Sequence, residues 1–279
     1  MGTVARSVIV NRSPITGLTK HVIAELVAEI GPLWDAQRCR RLSGRPRQRA
    51  PGAGARYELV FVDRLLATLV HLRHGVTHDL LACWFSVDRS TMTRAIGAIR
   101  PLPARRGCVV GPGIRMRTLA DVVDHLGASG QSAIIDATEI RVRRPAPGSD
   151  GRDRYISGKS KQNAVKVLVV TDAQGRLLFG GALKPGSCPD ITQTGGQVIT
   201  PPHRKFKKNA PTWWEERFAQ QRKALSSRRI RVEHGIAHLK NWRALSRHLG
   251  RCELLTELVP AIAGLASIHR QPPQPDPAG

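Results

Sequence analysis

Acid is what this chain is short of. Its 279 residues carry 21 Asp and Glu against 44 Lys and Arg, which leaves a formal charge of +23 and a pI near 11.3. That excess is far beyond what solubility asks for and points to a polyanionic partner. Cysteine is sparse too: Cys39, Cys83, Cys108, Cys188 and Cys252 are odd in number, widely scattered and without a Cys-x-x-Cys pair. Such a set argues against a disulfide framework or a zinc site and fits buried thiols in a reducing compartment. No stretch reaches 18 uninterrupted apolar residues, and the N-terminus lacks the apolar core and cleavage site of a signal peptide. A soluble cytoplasmic chain with no membrane partner is expected. Internal repeats are also missing, and the length suits two domains of roughly 100 and 150 residues.

What is present begins with helices. Ser13-Pro14, a capping residue and a first-turn proline, predicts a helix running through Leu18, Val22, Leu26 and Ile30 to Leu33. Residues 36–56 follow with seven arginines, no acid, and Pro46, Pro51, Gly52 and Gly54. They read as a basic linker suited to phosphate contact or as a solvated loop. A core helix is expected from Tyr57 to His71, ended by Gly75. Thr77 then caps a short helix through Leu80, Leu81 and Trp84, Ser86-Val87 turns the chain, and Asp88 or Ser90 opens a second helix through Met92, Ile96 and Ile99. Short helix, tight turn and a helix with small polar and basic residues near its start is the helix-turn-helix arrangement, set at about residues 75–100. Arg89, Ser90, Thr91, Thr93 and Arg94 would face a groove. An ordinary three-helix bundle is the plainer alternative.

Residues 101–113, rich in Pro, Gly and Arg, read as a domain boundary, followed by a brief helix around Leu119 to Leu126. Three strands come next: residues 132–144 around Ile-Ile-Asp-Ala-Thr-Glu, residues 165–171, and residues 176–183 after the turn Asp172-Ala173-Gln174-Gly175. A short strand is expected at residues 198–200. Residues 203–251 read as helical and basic, with 13 Lys and Arg against 3 Glu over residues 201–250. The last helix, residues 253–268, is apolar and carries Pro260.

The acids decide what chemistry is open. In a strand, alternate residues share a face, so Asp136 and Thr138 point one way while Ile135, Ala137 and Glu139 point the other. An acid in an apolar strand is costly to bury and is therefore paired, metal-bound or catalytic. Asp136 is the stronger candidate and Glu139 the weaker. On a helix opened by Ser226 or Ser227, Arg229, Glu233, Ile236 and Lys240 fall on one stripe. Glu233 there suits a salt bridge with Arg229 or Arg231 as readily as a catalytic role. Asp172 reads as a hairpin residue and Asp190 as a helix cap.

Ile-Ile-Asp-Ala-Thr-Glu at 134–139, Tyr-Ile-Ser-Gly-Lys at 155–159, the hairpin at 169–176, Gly-Ser-Cys-Pro-Asp at 186–190 and Arg-Arg-Ile-Arg-Val-Glu-His at 228–234 with Lys240 resemble the insertion-sequence transposases of the DDE superfamily endonuclease type. The resemblance spans about residues 17–268. It implies an α+β protein: a helical DNA-binding domain with the helix-turn-helix (1–105), a linker and short helix (106–130), a truncated ribonuclease H-like mixed-sheet domain (131–268) and a disordered tail (269–279). It implies a two-metal magnesium site for phosphodiester cleavage and strand transfer, with Asp136 as the first acid and Glu233 as the last, both metal ligands, and with Arg229 and Lys240 toward DNA. The family's middle acid ends a strand that follows a helix. From Leu183 to Val198 is only 15 positions, fewer than a helix of about 11 and a strand of about 5 with their connections need. An internal deletion that removes the middle acid is implied, with Asp190 or Asp172 left as stand-ins. The expected partner is double-stranded DNA at the inverted-repeat ends of an element, in association with the nucleoid, and a homodimer is left open. The alternative is a catalytically inactive DNA-binding remnant or repressor of transposition.

Overall fold

The computed structural model describes residues 8–43, 59–148, 151–189, 211–248, 250 and 252–267. Pro14 opens only a single helical turn, Ser13–Thr16. Gly17 then adopts the left-handed conformation (φ 74°), and the chain restarts as α1, Lys20–Ser43. The expected single helix is thus two, broken where glycine alone takes the backbone angle without strain. α1 also runs through Pro32 and on over residues 36–43, the first part of the expected linker. Tertiary contacts explain the extension: Ile23, Leu26 and Ile30 are buried, Trp34 lies against Phe61 at 5.5 Å between ring centroids, and the Arg38 guanidinium covers the Trp34 ring. Residues 44–56 lie outside the described residues.

α2 (Phe61–His74) starts four residues later than the periodicity suggests and ends at Gly75, φ 67°. α3 (His78–Phe85) is capped by Thr77, whose hydroxyl accepts Leu80 N–H, and Ser86 closes it in the left-handed region. α4 (Arg89–Ile99) follows, burying Met92, Ala95, Ile96 and Ile99. The helix-turn-helix geometry is as the sequence predicts.

The expected boundary at residues 101–113 is instead built structure. α5 (Pro101–Arg106) buries Leu102, Pro103 and Arg106, and β1 (Cys108–Gly111) and β2 (Ile114–Met116) form an antiparallel hairpin. Arg106 and Arg115 both pair with Glu29 of α1, Arg115 Nη2 at 2.8 Å. Prolines at the first turn of α5 are compatible with a helix start, and burial settles the outcome. α6 (Leu119–Ser129) opens with a capping box between Thr118 and Asp121.

β3 (Ala133–Val142), β4 (Ala164–Asp172) and β5 (Leu177–Pro185) are consecutive antiparallel neighbours. α7 (Thr212–Lys240) opens after Pro211, well before Ser226 and Ser227, which lie inside it. α8 (Arg243–Ser246) and β6 (Arg247–His248) interrupt the expected helical stretch. β6 pairs parallel with the end of β3, giving the mixed order β5-β4-β3-β6. α9 (Leu255–Ser267) contains Pro260 and joins the two halves. Ser267 Oγ accepts Val109 N–H at 2.8 Å, and a Cβ on Gly264 would meet the Gly107 carbonyl at 2.9 Å. The expected strand at 198–200 and tail at 269–279 lie outside the described residues, among which no helix is long and apolar enough to cross a membrane.

Candidate DNA interface and acidic site

The recognition element is α4. Arg89, Ser90, Thr93 and Arg94 are exposed, while Thr91 is half-buried. Ser90, Thr93, Arg94 and Gly97 share one face by helical spacing, and a Cβ on Gly97 would touch nothing within 4 Å. That face is flat and open. Its polar side chains are held: Arg94 Nε donates to Ser90 O at 3.1 Å and Nη2 to Ser90 Oγ at 3.2 Å, Arg89 lies 3.3 Å from Asp79, and Thr93 Oγ1 meets His78 Nδ1 at 2.9 Å. Sequence reasoning missed His78 and Gly97. Burial, with His71 and the Arg89 guanidinium nearby, lowers the His78 pKa from its ordinary value, and Asp79 opposes the shift. A neutral imidazole therefore supports Thr93.

The acidic site lies where α7 crosses the sheet. Val232 and Leu239 are buried, and a Cβ on Gly235 would meet Thr171 Cγ2 at 2.7 Å, so glycine there allows close approach. This contact brings Arg229 Nη2 to 3.4 Å from Asp136 Oδ2, while Arg229 Nε stands 3.6 Å from Glu233 Oε1. One guanidinium thus spans the two acids. Asp136 Oδ1 also accepts its neighbour's Ala137 N–H at 2.9 Å. The predicted pairing of Glu233 with arginine is with Arg229, while Arg231 donates to the Ala173 carbonyl.

β3 is less covered than a buried strand. Only Thr138 and Ile140 are buried along it, and Ile135 is 38% exposed. Beyond β4, the other neighbour is β6, which pairs only with Arg141 and Val142, so the edge from Ala133 to Ile140 carries no strand partner among the described residues.

The stand-ins fare differently. Asp172 is buried and accepts Gln174 N–H at 2.9 Å, Arg176 N–H at 2.8 Å and Arg176 Nε–H at 2.5 Å. Its carboxylate is committed to the hairpin turn. Asp190 lies outside the described residues. No cluster of three or more His, Cys, Asp or Glu suited to a metal occurs among the described residues. Glu139, ranked second from the sequence, holds a loop instead: Ser157 Oγ donates to it at 2.5 Å and Ser160 Oγ at 2.9 Å. Those serines lie 18 and 21 residues away, out of reach of local pattern.

A helix-turn-helix thus stands ahead of a mixed sheet whose β3 carries Asp136. Residues 57–108 match the helix-turn-helix of DDE superfamily endonuclease, and residues 135–195 match the DDE superfamily endonuclease. These two matches support a DDE-superfamily protein of the transposase type, and the α+β fold with its mixed sheet is consistent with a ribonuclease H-like endonuclease domain. It matches no curated protein and no solved structure. Asp136 falls inside the second match, and Glu233 and Lys240 lie beyond it. Use of a divalent metal is general to that domain.

Proposed function

We propose that the protein is a transposase-family DNA-binding protein that engages double-stranded DNA at the inverted-repeat ends of its element, in association with the nucleoid. The open face of α4, with Arg89, Ser90, Thr93 and Arg94 exposed around Gly97, carries this reading. Thr91, half-buried, acts at the margin of that face. Arg229 and Lys240 extend the contact to the phosphate backbone along α7. The sheet domain, residues 131–268, descends from one that cleaves phosphodiesters and transfers strands, and two of its three acids, Asp136 and Glu233, remain.

Asp136 and Glu233 converge on one guanidinium and offer hard oxygen donors. The set fits one divalent cation such as magnesium, whose remaining positions go to water and phosphate oxygen. A second ion finds no third carboxylate among the described residues. When bound, the cation supplies Lewis-acid stabilisation of phosphate oxygens. Arg229 must leave the two acids for that to happen, and once released it faces the same phosphate.

A second reading, a catalytically inactive remnant or repressor of transposition, draws on the edge of β3 that carries no strand partner among the described residues. An internal deletion between Leu183 and Val198 accounts for that edge, because the lost strand would belong to the same sheet, and it removes the middle acid. Duplex DNA carrying the element's inverted-repeat ends separates the readings in a magnesium-dependent nicking assay with Asp136→Ala as control. Nicking that disappears in the control supports the enzyme. Salt-sensitive binding without nicking supports the remnant, and absence of binding rejects both.

A further inference from the structure

The loop wound round Glu139 is built more tightly than a surface loop requires. Both carboxylate oxygens are occupied by hydroxyl donors, Ser157 at 2.5 Å and Ser160 at 2.9 Å. Ser157 is fully buried, and its Oγ also accepts Lys159 N–H and Ser160 N–H, each at 3.1 Å. Lys161, at φ 53°, closes the turn by donating its N–H to Ser157 O at 3.0 Å. The turn is held from β5 as well, where a Cβ on Gly186 would meet the Tyr155 carbonyl at 2.7 Å and the Ala164 carbonyl at 2.8 Å. Between the two clamped serines, Lys159 is exposed.

Cations gather at this place. Arg141 shares the Glu139 face of β3 by strand alternation, and Lys240 comes to it from the end of α7. Desolvation lowers the Lys240 ammonium pKa; Glu139 opposes the shift, and Lys159 and Arg141 add to it. The side chains of Arg141 and Lys159 make no hydrogen bond or ion pair among the described residues. Arg141 on the same face of β3, Lys159 in the clamped loop and Lys240 at the end of α7 thus bring three positive charges into the neighbourhood of a carboxylate whose oxygens already hold two hydroxyls. A phosphate oxygen is the ligand that relieves such crowding, through charge-assisted hydrogen bonds.

We propose that Arg141, Lys159 and Lys240 form a phosphate clamp for the DNA strand at the C-terminal end of β3, where Arg141 lies about 17 Å along the strand from Asp136, and that Glu139 is the positioning residue that fixes Lys159 in it. The proposal rests on the DNA-binding reading and deepens it: of these three cations, the sequence resemblance brings only Lys240 toward DNA. Because the loop is fixed before DNA arrives, little ordering cost falls on binding.

Glu139 gives the test its sign. Removing an acid beside DNA strengthens binding if that acid acts only as a charge, and weakens it if the acid positions a lysine. Duplex binding by the full chain is measured by fluorescence anisotropy over a salt series, with melting curves as folding controls. Lys159→Met and Arg141→Met are each expected to reduce the slope of log K against log salt by about one, equally on cognate and unrelated duplexes. Glu139→Ala is expected to weaken binding as Lys159→Met does and to add nothing when combined with it, while Glu139→Gln, which keeps one acceptor, falls between. Should Glu139→Ala fail to fold, Ser160→Ala removes one clamp bond from an exposed hydroxyl and is expected to weaken binding in the same direction. Wild-type slopes in Lys159→Met and Arg141→Met, or tighter binding by Glu139→Ala or Ser160→Ala, would overturn the clamp while leaving the DNA reading intact. Failure of the wild-type chain to bind DNA would remove both.

Discussion

β3 and β4 are neighbours in one sheet, paired residue for residue from Ala133 with Asp172 to Arg141 with Ala164, and they have opposite surroundings. Eight of the nine residues of β4 are buried, with Lys166 the one intermediate position, whereas β3 buries two of ten. Propensity does not separate them, because both are rich in β-branched and aliphatic residues. Lateral cover does: among the described residues β4 lies between two full strands, and β3 has one full strand and a two-residue contact with β6. Asp136 and Glu139 sit on the open strand, where arginine and serine reach them, whereas β4 carries its one acid, Asp172, at its last position and fills its interior with apolar residues, Lys166 and Thr171.

The largest expected effect tests this contrast directly. Leu168 on β4 is 1% exposed, so Leu168→Ala should destabilise by about 2–5 kcal/mol through lost burial and a residual cavity. Ile135→Ala on β3, at 38% exposure, should cost under about 1.5 kcal/mol. Urea unfolding of the two variants gives the comparison; equal losses would mean that β3 is covered in solution. A second, smaller effect concerns how β5 meets α9 beside β4. A Cβ on Gly180 would stand 2.9 Å from Ala263 Cβ, so Gly180→Ala should cost about 1–3 kcal/mol by overpacking. Adding Ala263→Gly should return part of that loss, and a double variant no better than the single would show the contact to be loose.

Local chemistry explains which parts were legible beforehand. Gly75, Thr77 and Ser86 punctuate α2 and α3 through capping and left-handed turns, signals carried by the residues themselves. Asp172 and Gly175 likewise fix the β4 to β5 turn. Long-range burial was not legible. α5 reads as a Pro and Arg boundary until Leu102, Pro103 and Arg106 meet α9 and α1. α1 continues past the expected stop because Arg38 finds Trp34 one turn back. Of the site, spacing and resemblance single out Asp136 and Glu233, and the structure brings both to Arg229. Local pattern does not reveal the role of Glu139, because its serine partners are remote in sequence. The start of α7 was misplaced because serines look like caps wherever they occur, and Ser226 and Ser227 lie mid-helix.

A third effect marks the covered half rather than the open strand. Glu29 ties α1 to Arg106 and Arg115, and the Arg106 hydrogen bond is the main cause that holds its pKa below the ordinary value of 4.5, with burial opposing. A depressed carboxylate contributes stability that is full above the unfolded pKa and is lost as pH falls through the folded one. Stability should therefore drop from about pH 5 downward, and Glu29→Gln should flatten that limb while lowering stability at neutral pH. Urea midpoints between pH 3 and pH 7 measure it. An unchanged acid limb in the variant would move the coupling elsewhere.

The smallest effect lies on the open strand itself. Arg229 is 61% exposed, stands 3.4 Å from Asp136 and 3.6 Å from Glu233, and is screened by solvent on most sides. Such a pair contributes on the order of 0–1 kcal/mol, so Arg229→Gln should barely move the urea midpoint. It removes the one cation that spans the two acids, however, and leaves two carboxylates facing each other. Divalent metal should then bind more tightly to the variant than to the wild-type chain, read as a larger upward shift of melting temperature on adding magnesium or manganese. Asp136→Asn in the same background should cancel that shift. A metal-induced shift equal in wild type and Arg229→Gln would show that the guanidinium does not compete for the acids. The contrast between the strands would then reduce to packing alone, with no chemical consequence at the open edge.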